Sequence, residues 1–154
     1  MTNKYIKFNE KQLKEIRIGL EKRLDVSIYA KPEYSEHQME EIRLGLEQGF
    51  DLSIYIKNRF DAEKMQEIKL GLQKGLDVSI YAKPEYSKYQ MEQIMIGLEL
   101  GLNVSVYTKP EFDCFQMKKI RFGLEQKLDV STYAKPYFNE YQMDEIITGL
   151  EKEL

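Results

Sequence analysis

One histidine, one cysteine and two regular ladders are the residues of this chain that could do chemistry. Cys114 follows Asp113, a residue suited to capping a helix, and a helix N-terminus can lower a thiol pKa and favour the nucleophilic thiolate. A cysteine nucleophile also needs a base, and no histidine stands in the same repeat. His37 occupies a position held elsewhere by Lys11, Glu63, Tyr89, Phe115 and Tyr141, so it reads as a variable surface site. Lys31, Lys57, Lys83, Lys109 and Lys135 form the first ladder, and Tyr29, Tyr55, Tyr81, Tyr107 and Tyr133 the second. Cations beside aromatic rings can grip phosphates and stack on single-stranded bases. The plainer reading is a solvated lysine strip flanked by Glu33, Glu85 and Glu111, with the tyrosines in a core. No metal-ligand cluster, phosphate loop or nucleophile elbow is present. The sequence therefore predicts no enzyme, no catalytic residue, no metal, no cofactor and no small-molecule substrate.

The ladders exist because the chain is a tandem repeat. The stretch Gly75-Leu76-Asp77-Val78-Ser79-Ile80-Tyr81-Ala82-Lys83-Pro84-Glu85-Tyr86 returns, lightly edited, every 26 residues without insertion or deletion. Repeats start at the aromatic residues Phe8, Tyr34, Phe60, Tyr86 and Phe112, and a half repeat runs from Phe138 to Leu154. After each aromatic stands Asn9, Ser35, Asp61, Ser87, Asp113 or Asn139, each able to accept from an orphan amide of a first helical turn. Three residues on, Gln12, Gln38, Gln90, Gln116 and Gln142 complete a capping box, and Lys64 does not. Leu13, Met39, Met65, Met91, Met117 and Met143 then sit where a hydrophobic staple would clasp the aromatic. Met65, Ile68, Leu72 and Leu76 follow one face of a helix of about 14 residues.

Gly19, Gly45, Gly71, Gly97, Gly123 and Gly149 recur within that helix, although glycine costs about 1 kcal/mol there relative to alanine. Close backbone approach to the neighbouring repeat is the expected offset. Gly49, Gly75 and Gly101 fit left-handed C-caps, whereas Arg23 and Lys127 fill the same place and predict more strained ends. Asp25, Asp51, Asp77, Asn103 and Asp129 then open a short return leg that ends before the proline position. Those caps favour one or two helical turns; the β-branched residues leave a strand open as the alternative. The expected fold is all-α, an α-solenoid of helix–short-helix repeats over 1–154, with an α/β horseshoe as the alternative.

At net charge −3 and a pI near 5.4 the chain is not a general nucleic-acid binder. One cysteine excludes a disulfide framework and suits the cytoplasm. Met1–Lys7 lacks the apolar core of a signal peptide, and no run is long enough to span a bilayer. A third stripe points to a partner. Ile18, Leu44, Leu70, Ile96 and Phe122 lie opposite the main core face, and Tyr89, Phe115 and Tyr141 share that side. Met95 and Leu100 replace residues that are mostly polar in other repeats. Tyr89, Ile96, Leu100, Phe115, Phe122 and Tyr141 are the expected partner-binding residues.

The pattern aromatic-x-x-x-Gln-Met-x-x-Ile-Arg-x-Gly-Leu-Glu-x-Gly-Leu-Asp-Val-Ser-x-Tyr-Ala-x-Pro resembles the repeats of uncharacterised proteins from anaerobic gut Firmicutes and their phages and mobile elements. The resemblance covers nearly the whole chain and implies a helical repeat in a mobile-element context, with no catalytic residue to transfer. Small acidic proteins of that context include inhibitors of host defence, anti-CRISPR proteins among them. The expected function is binding of a protein or protein–nucleic acid complex, as an inhibitor of a host defence complex such as a CRISPR nuclease. Nucleic-acid binding along the lysine and tyrosine ladders, and a purely structural homo-oligomer such as a homodimer, are the alternatives.

Overall fold

Six of the helices begin 26 residues apart, at Glu10, Glu36, Ala62, Lys88, Cys114 and Glu140. The computed structural model describes residue 5 and residues 7–153, so Leu154 and most of the segment before Lys7 lie outside it. Seven α-helices and no strand occur among the described residues. They are α1 (Glu10–Glu21), α2 (Glu36–Glu47), α3 (Ser53–Asn58), α4 (Ala62–Gln73), α5 (Lys88–Glu99), α6 (Cys114–Glu125) and α7 (Glu140–Lys152). The all-α expectation holds and the horseshoe is set aside. The chain divides into two compact units, Met1–Lys69 and Leu70–Leu154, with the cut inside α4.

Each helix starts where its cap dictates. Asn9, Ser35, Ser87, Asp113 and Asn139 accept from the amide three residues on, and the glutamine there accepts from the cap's own amide. At α4, Asp61 accepts from Lys64 N at 2.9 Å, but a lysine side chain has no acceptor and cannot close the box. Four of these glutamines have a second task. Gln12 Nε2 donates to the Tyr34 carbonyl at 2.7 Å and Gln38 Nε2 to that of Phe60 at 2.8 Å. In the second unit, Gln90 reaches Phe112 O and Gln116 reaches Phe138 O, both at 2.7 Å. One side chain thus caps its own helix and pins the backbone of the next repeat.

The helices stop in a Schellman arrangement. Leu102 N donates to Gly97 O at 2.9 Å and Gly101 N to Leu98 O at 3.1 Å; the other complete repeats match. The arrangement needs a left-handed residue. Gly101 has φ 69° there, and Arg23 and Lys127, both at φ 58°, adopt it against their side-chain preference.

Four return legs are single 3-10 turns, Val26–Ile28, Val78–Ile80, Val104–Val106 and Val130–Thr132, and the fifth is α3. Prolines at 32, 84, 110 and 136 follow the 3-10 turns, and Asn58 stands in that place in α3. Proline has no amide to donate and disfavours helix at the residue before it, so the leg continues as α-helix only where it is missing.

The helix glycines are explained differently from the expectation. A methyl group on Gly97 would lie 1.9 Å from the Tyr107 hydroxyl and 2.7 Å from Val104 Cγ1; Gly19, Gly71 and Gly123 repeat this with Tyr29, Tyr81 and Tyr133. The close neighbour is the return leg of the same repeat, not the next repeat. The hydroxyl is held there by a backbone carbonyl: Tyr29 donates to Glu15 O, Tyr107 to Gln93 O and Tyr133 to Lys119 O, each at 2.9 Å.

These tyrosines are fully buried. Burial pushes the Tyr29 hydroxyl up to about 12 and raises those of Tyr107 and Tyr133 as well. The neutral phenol is the form that folds, whereas an unfolded tyrosine ionises near about 10. Stability is therefore full below that pH and falls as pH rises through the higher folded values. Alkaline titration should show the phenolate absorbance of the buried ladder appearing only as helix is lost; ionisation of all tyrosines with helix intact would contradict this.

Within the first unit α1 packs on α2, and within the second α5 packs on α6 and α6 on α7. Buried Arg43 ties the first pair, donating to Glu15 at 2.7 Å and also to Glu47. Burial opposes its charge, but the two carboxylates raise its pKa overall. Lys69 meets Glu41 at 2.6 Å in the same unit. In the second unit Arg121 Nε donates to Gln93 Oε1 at 3.2 Å and Lys119 pairs with Asp144 at 2.6 Å.

Candidate partner-binding face

The reactive candidates are quiet in this fold. His37 is exposed and Cys114 half-buried. Burial pushes the Cys114 thiol up, and the neighbouring Asp113 charge adds to that, so the helix start does not activate it. No cluster of three His, Cys, Asp or Glu residues that could hold a metal occurs among the described residues.

The two ladders separate. All five ladder tyrosines are 0% exposed, so their rings offer no face to a base. Lys31, Lys83, Lys109 and Lys135 follow 3-10 turns and Lys57 lies inside α3; all are exposed but Lys31, which is half-buried. The lysine series is therefore irregular, and Glu33, Glu85 and Glu111 are exposed two residues after Lys31, Lys83 and Lys109.

The apolar stripe is different. Tyr89, Phe115 and Tyr141 are the second residues of α5, α6 and α7, which pack in that order. They are 56%, 57% and 73% exposed. Seven residues on, about 10 Å along each axis, stand Ile96, Phe122 and Thr148. Phe122 is 38% exposed and Leu100, eleven residues after Tyr89, is 52% exposed. With packed helices about 8–10 Å apart, these side chains form one face about two helix spacings wide.

No family model, curated protein or solved structure matches this chain.

The face stands on its own chemistry. Ion pairs accompany it: Lys119 with Asp144 beside Phe122, and Lys74 with Glu99 at 2.6 Å and Arg121 with Glu125 elsewhere in the same unit. Beside Phe122 a shallow groove of about 270 Å³ runs between α6 and α7, lined by Ile147, Thr148 and Lys118 among others. Lys88 Nζ sits 5.0 Å from the centre of the Tyr89 ring. The equivalents of the aromatic positions in the first unit, Lys11, His37 and Glu63, are exposed and polar.

One expected member and one neighbouring residue are less available. Ile96 is half-buried. Met95, read as added apolar surface, is 6% exposed and belongs to the core. One aromatic was missed: Tyr137 is 74% exposed, its ring 4.6 Å from that of Phe138. Its signal was the break in the repeat, since Glu33, Glu85 and Glu111 hold that place elsewhere.

Proposed function

We propose that this chain is a non-enzymatic helical-repeat protein, a solenoid in its full form, that binds a protein partner through the aromatic face of α5, α6 and α7. The observation that carries the reading is the exposure of Tyr89, Phe115 and Tyr141 at one helical position in three successive helices. A folded chain gains nothing from leaving three large aromatics in water, and such patches mark contact surfaces. Tyrosine and phenylalanine also bury large areas at little entropic cost and anchor interfaces. The likeness of its repeats to those of mobile-element proteins makes a host defence complex, such as a CRISPR nuclease, the first partner to test, with the chain as its inhibitor.

The test is inhibition of purified CRISPR nucleases in a cleavage assay. The parent is expected to inhibit and Phe115→Glu with Phe122→Glu to lose that inhibition. Burial of each side chain is worth about 1.5–3 kcal/mol, so the pair should cost at least about 100-fold in affinity. Lys11→Glu with His37→Glu should change little, and helix content should stay constant in both. If the parent inhibits none of a broad panel, the defence reading is dropped; if the C-terminal pair unfolds the chain, the face is core.

A second reading is a structural homo-oligomer joined through the same face. Sedimentation equilibrium of the parent and the Phe115→Glu, Phe122→Glu variant separates it from partner binding.

A further inference from the structure

All five return legs have the same length, yet four are 3-10 turns and one, α3, is α-helical. The odd leg keeps the parts that the other four use. Asp51 still accepts from Ser53 N, at 3.0 Å. Tyr55 stands at the ladder position, and Gly45 still opens the notch that a ladder tyrosine fills elsewhere. By the register of Tyr29 with Glu15, the Tyr55 hydroxyl would enter that notch and donate to the Glu41 carbonyl. It instead donates to Met65 O, in α4, at 3.0 Å. Leu52 stands where Val26, Val78, Val104 and Val130 wall the notch beside the tyrosine elsewhere, and it fills the notch alone: a methyl group on Gly45 would lie 2.7 Å from its Cδ2 and 3.0 Å from its Cδ1.

The longer leucine thus takes space that the valine leaves to the tyrosine hydroxyl in the other repeats. The lock that holds the 3-10 form elsewhere is the proline, and Asn58 removes it. The α form carries its own costs. Leu52, at its N-cap, makes no side-chain capping bond, and Arg59 closes it at φ 49° and ψ 48°, in the left-handed region. No 3-10 leg contains a left-handed residue at the equivalent point.

We propose that segment 51–60 is a two-state leg. The α form exchanges with a 3-10 form in which Leu52 draws back to the wall position that valine holds elsewhere and Tyr55 moves its hydrogen bond from α4 to α2. The device is independent of the aromatic face on α5 to α7.

Relaxation-dispersion NMR on the full chain tests it, since such rearrangements fall in the μs–ms range. The parent should show exchange at amides 51–60 and at Glu41, Gly45 and Met65. Gly45→Ala should flatten that exchange, because its methyl group meets only a movable leucine methyl at 2.7 Å in the α form but a hydrogen-bonded hydroxyl in the 3-10 form, 1.9 Å away at the equivalent glycines. Asn58→Pro should adopt the 3-10 leg as its ground state, and its shifts should match the parent's minor state. A flat profile in the parent, exchange that survives in Gly45→Ala, or Asn58→Pro shifts unlike the minor state would each overturn the proposal. If Asn58→Pro does not fold, the first two measurements decide.

Discussion

Replacing Gly97 with alanine is expected to destabilise the protein by about 2–4 kcal/mol, from overpacking and a lost buried hydrogen bond. Helix propensity alone predicts the opposite, a gain of up to about 1 kcal/mol. The difference is the hydroxyl of Tyr107, which a new methyl group would meet at 1.9 Å. That hydroxyl is the far end of its side chain, but it is not free to leave. The ring is 0% exposed and its oxygen donates to Gln93 O at 2.9 Å. Moving it breaks the bond and disturbs Val104, the other wall of the notch. The control lies in the same chain. Gly149 is also helical, and nothing lies within 4 Å of where its methyl group would be. Gly149→Ala should therefore follow propensity and stabilise. Urea unfolding of both variants reads the result. Stabilisation by both would show that the notch is not why glycine recurs.

The second large effect concerns Gln116→Glu, expected to cost about 2–4 kcal/mol at neutral pH through loss of buried donors and burial of a charge. Gln116 is 6% exposed, and its Nε2 donates to Phe138 O at 2.7 Å and Pro136 O at 3.0 Å. A carboxylate there would face two carbonyl oxygens. Its folded pKa would rise, so the fold is unharmed in this respect below the unfolded value of about 4.3 and loses stability as pH rises through the folded value. Gln142 makes the same capping box at Asn139 but is exposed. Gln142→Glu should be close to neutral, since glutamate serves a capping box equally well. A pH-independent loss in Gln116→Glu, or an equal loss in Gln142→Glu, would contradict the second role assigned to these glutamines.

The sequence shows the first role of Gln116 and not the second for a physical reason. A capping box closes over three residues, so its parts are neighbours in the chain. The acceptors Pro136 and Phe138 lie 20 and 22 residues away and are backbone atoms, which carry no residue signature. The glycines follow the same logic. Their recurrence implies close approach, but nothing local says that Tyr107 rather than the next helix fills the space over Gly97. The return leg was ambiguous because Val104 and Val106 suit a strand while Asn103 and Gly101 suit a helix. Proline settles it as a turn too short for either pattern. On the face, helical phase puts Tyr89, Phe115 and Tyr141 on the exposed side, where the structure has them. Phase alone cannot report how much a neighbouring helix covers, so Met95 and Ile96 were overestimated.

The reach of Gln90 and Gln116 into the following repeat has a consequence for how such a chain can change length. The repeats from Tyr86 and Phe112 each finish the next one's hydrogen bonding, and that neighbour's carbonyl sits at a fixed offset. Duplication or excision of one whole repeat between α5 and α6 recreates both partners at the new joint. A gain or loss of a few residues leaves a buried amide facing the wrong group. The chain is therefore open to growth by gene-level copying in whole units and closed to gradual drift in length. Sibling proteins built on these repeats should differ by whole numbers of them.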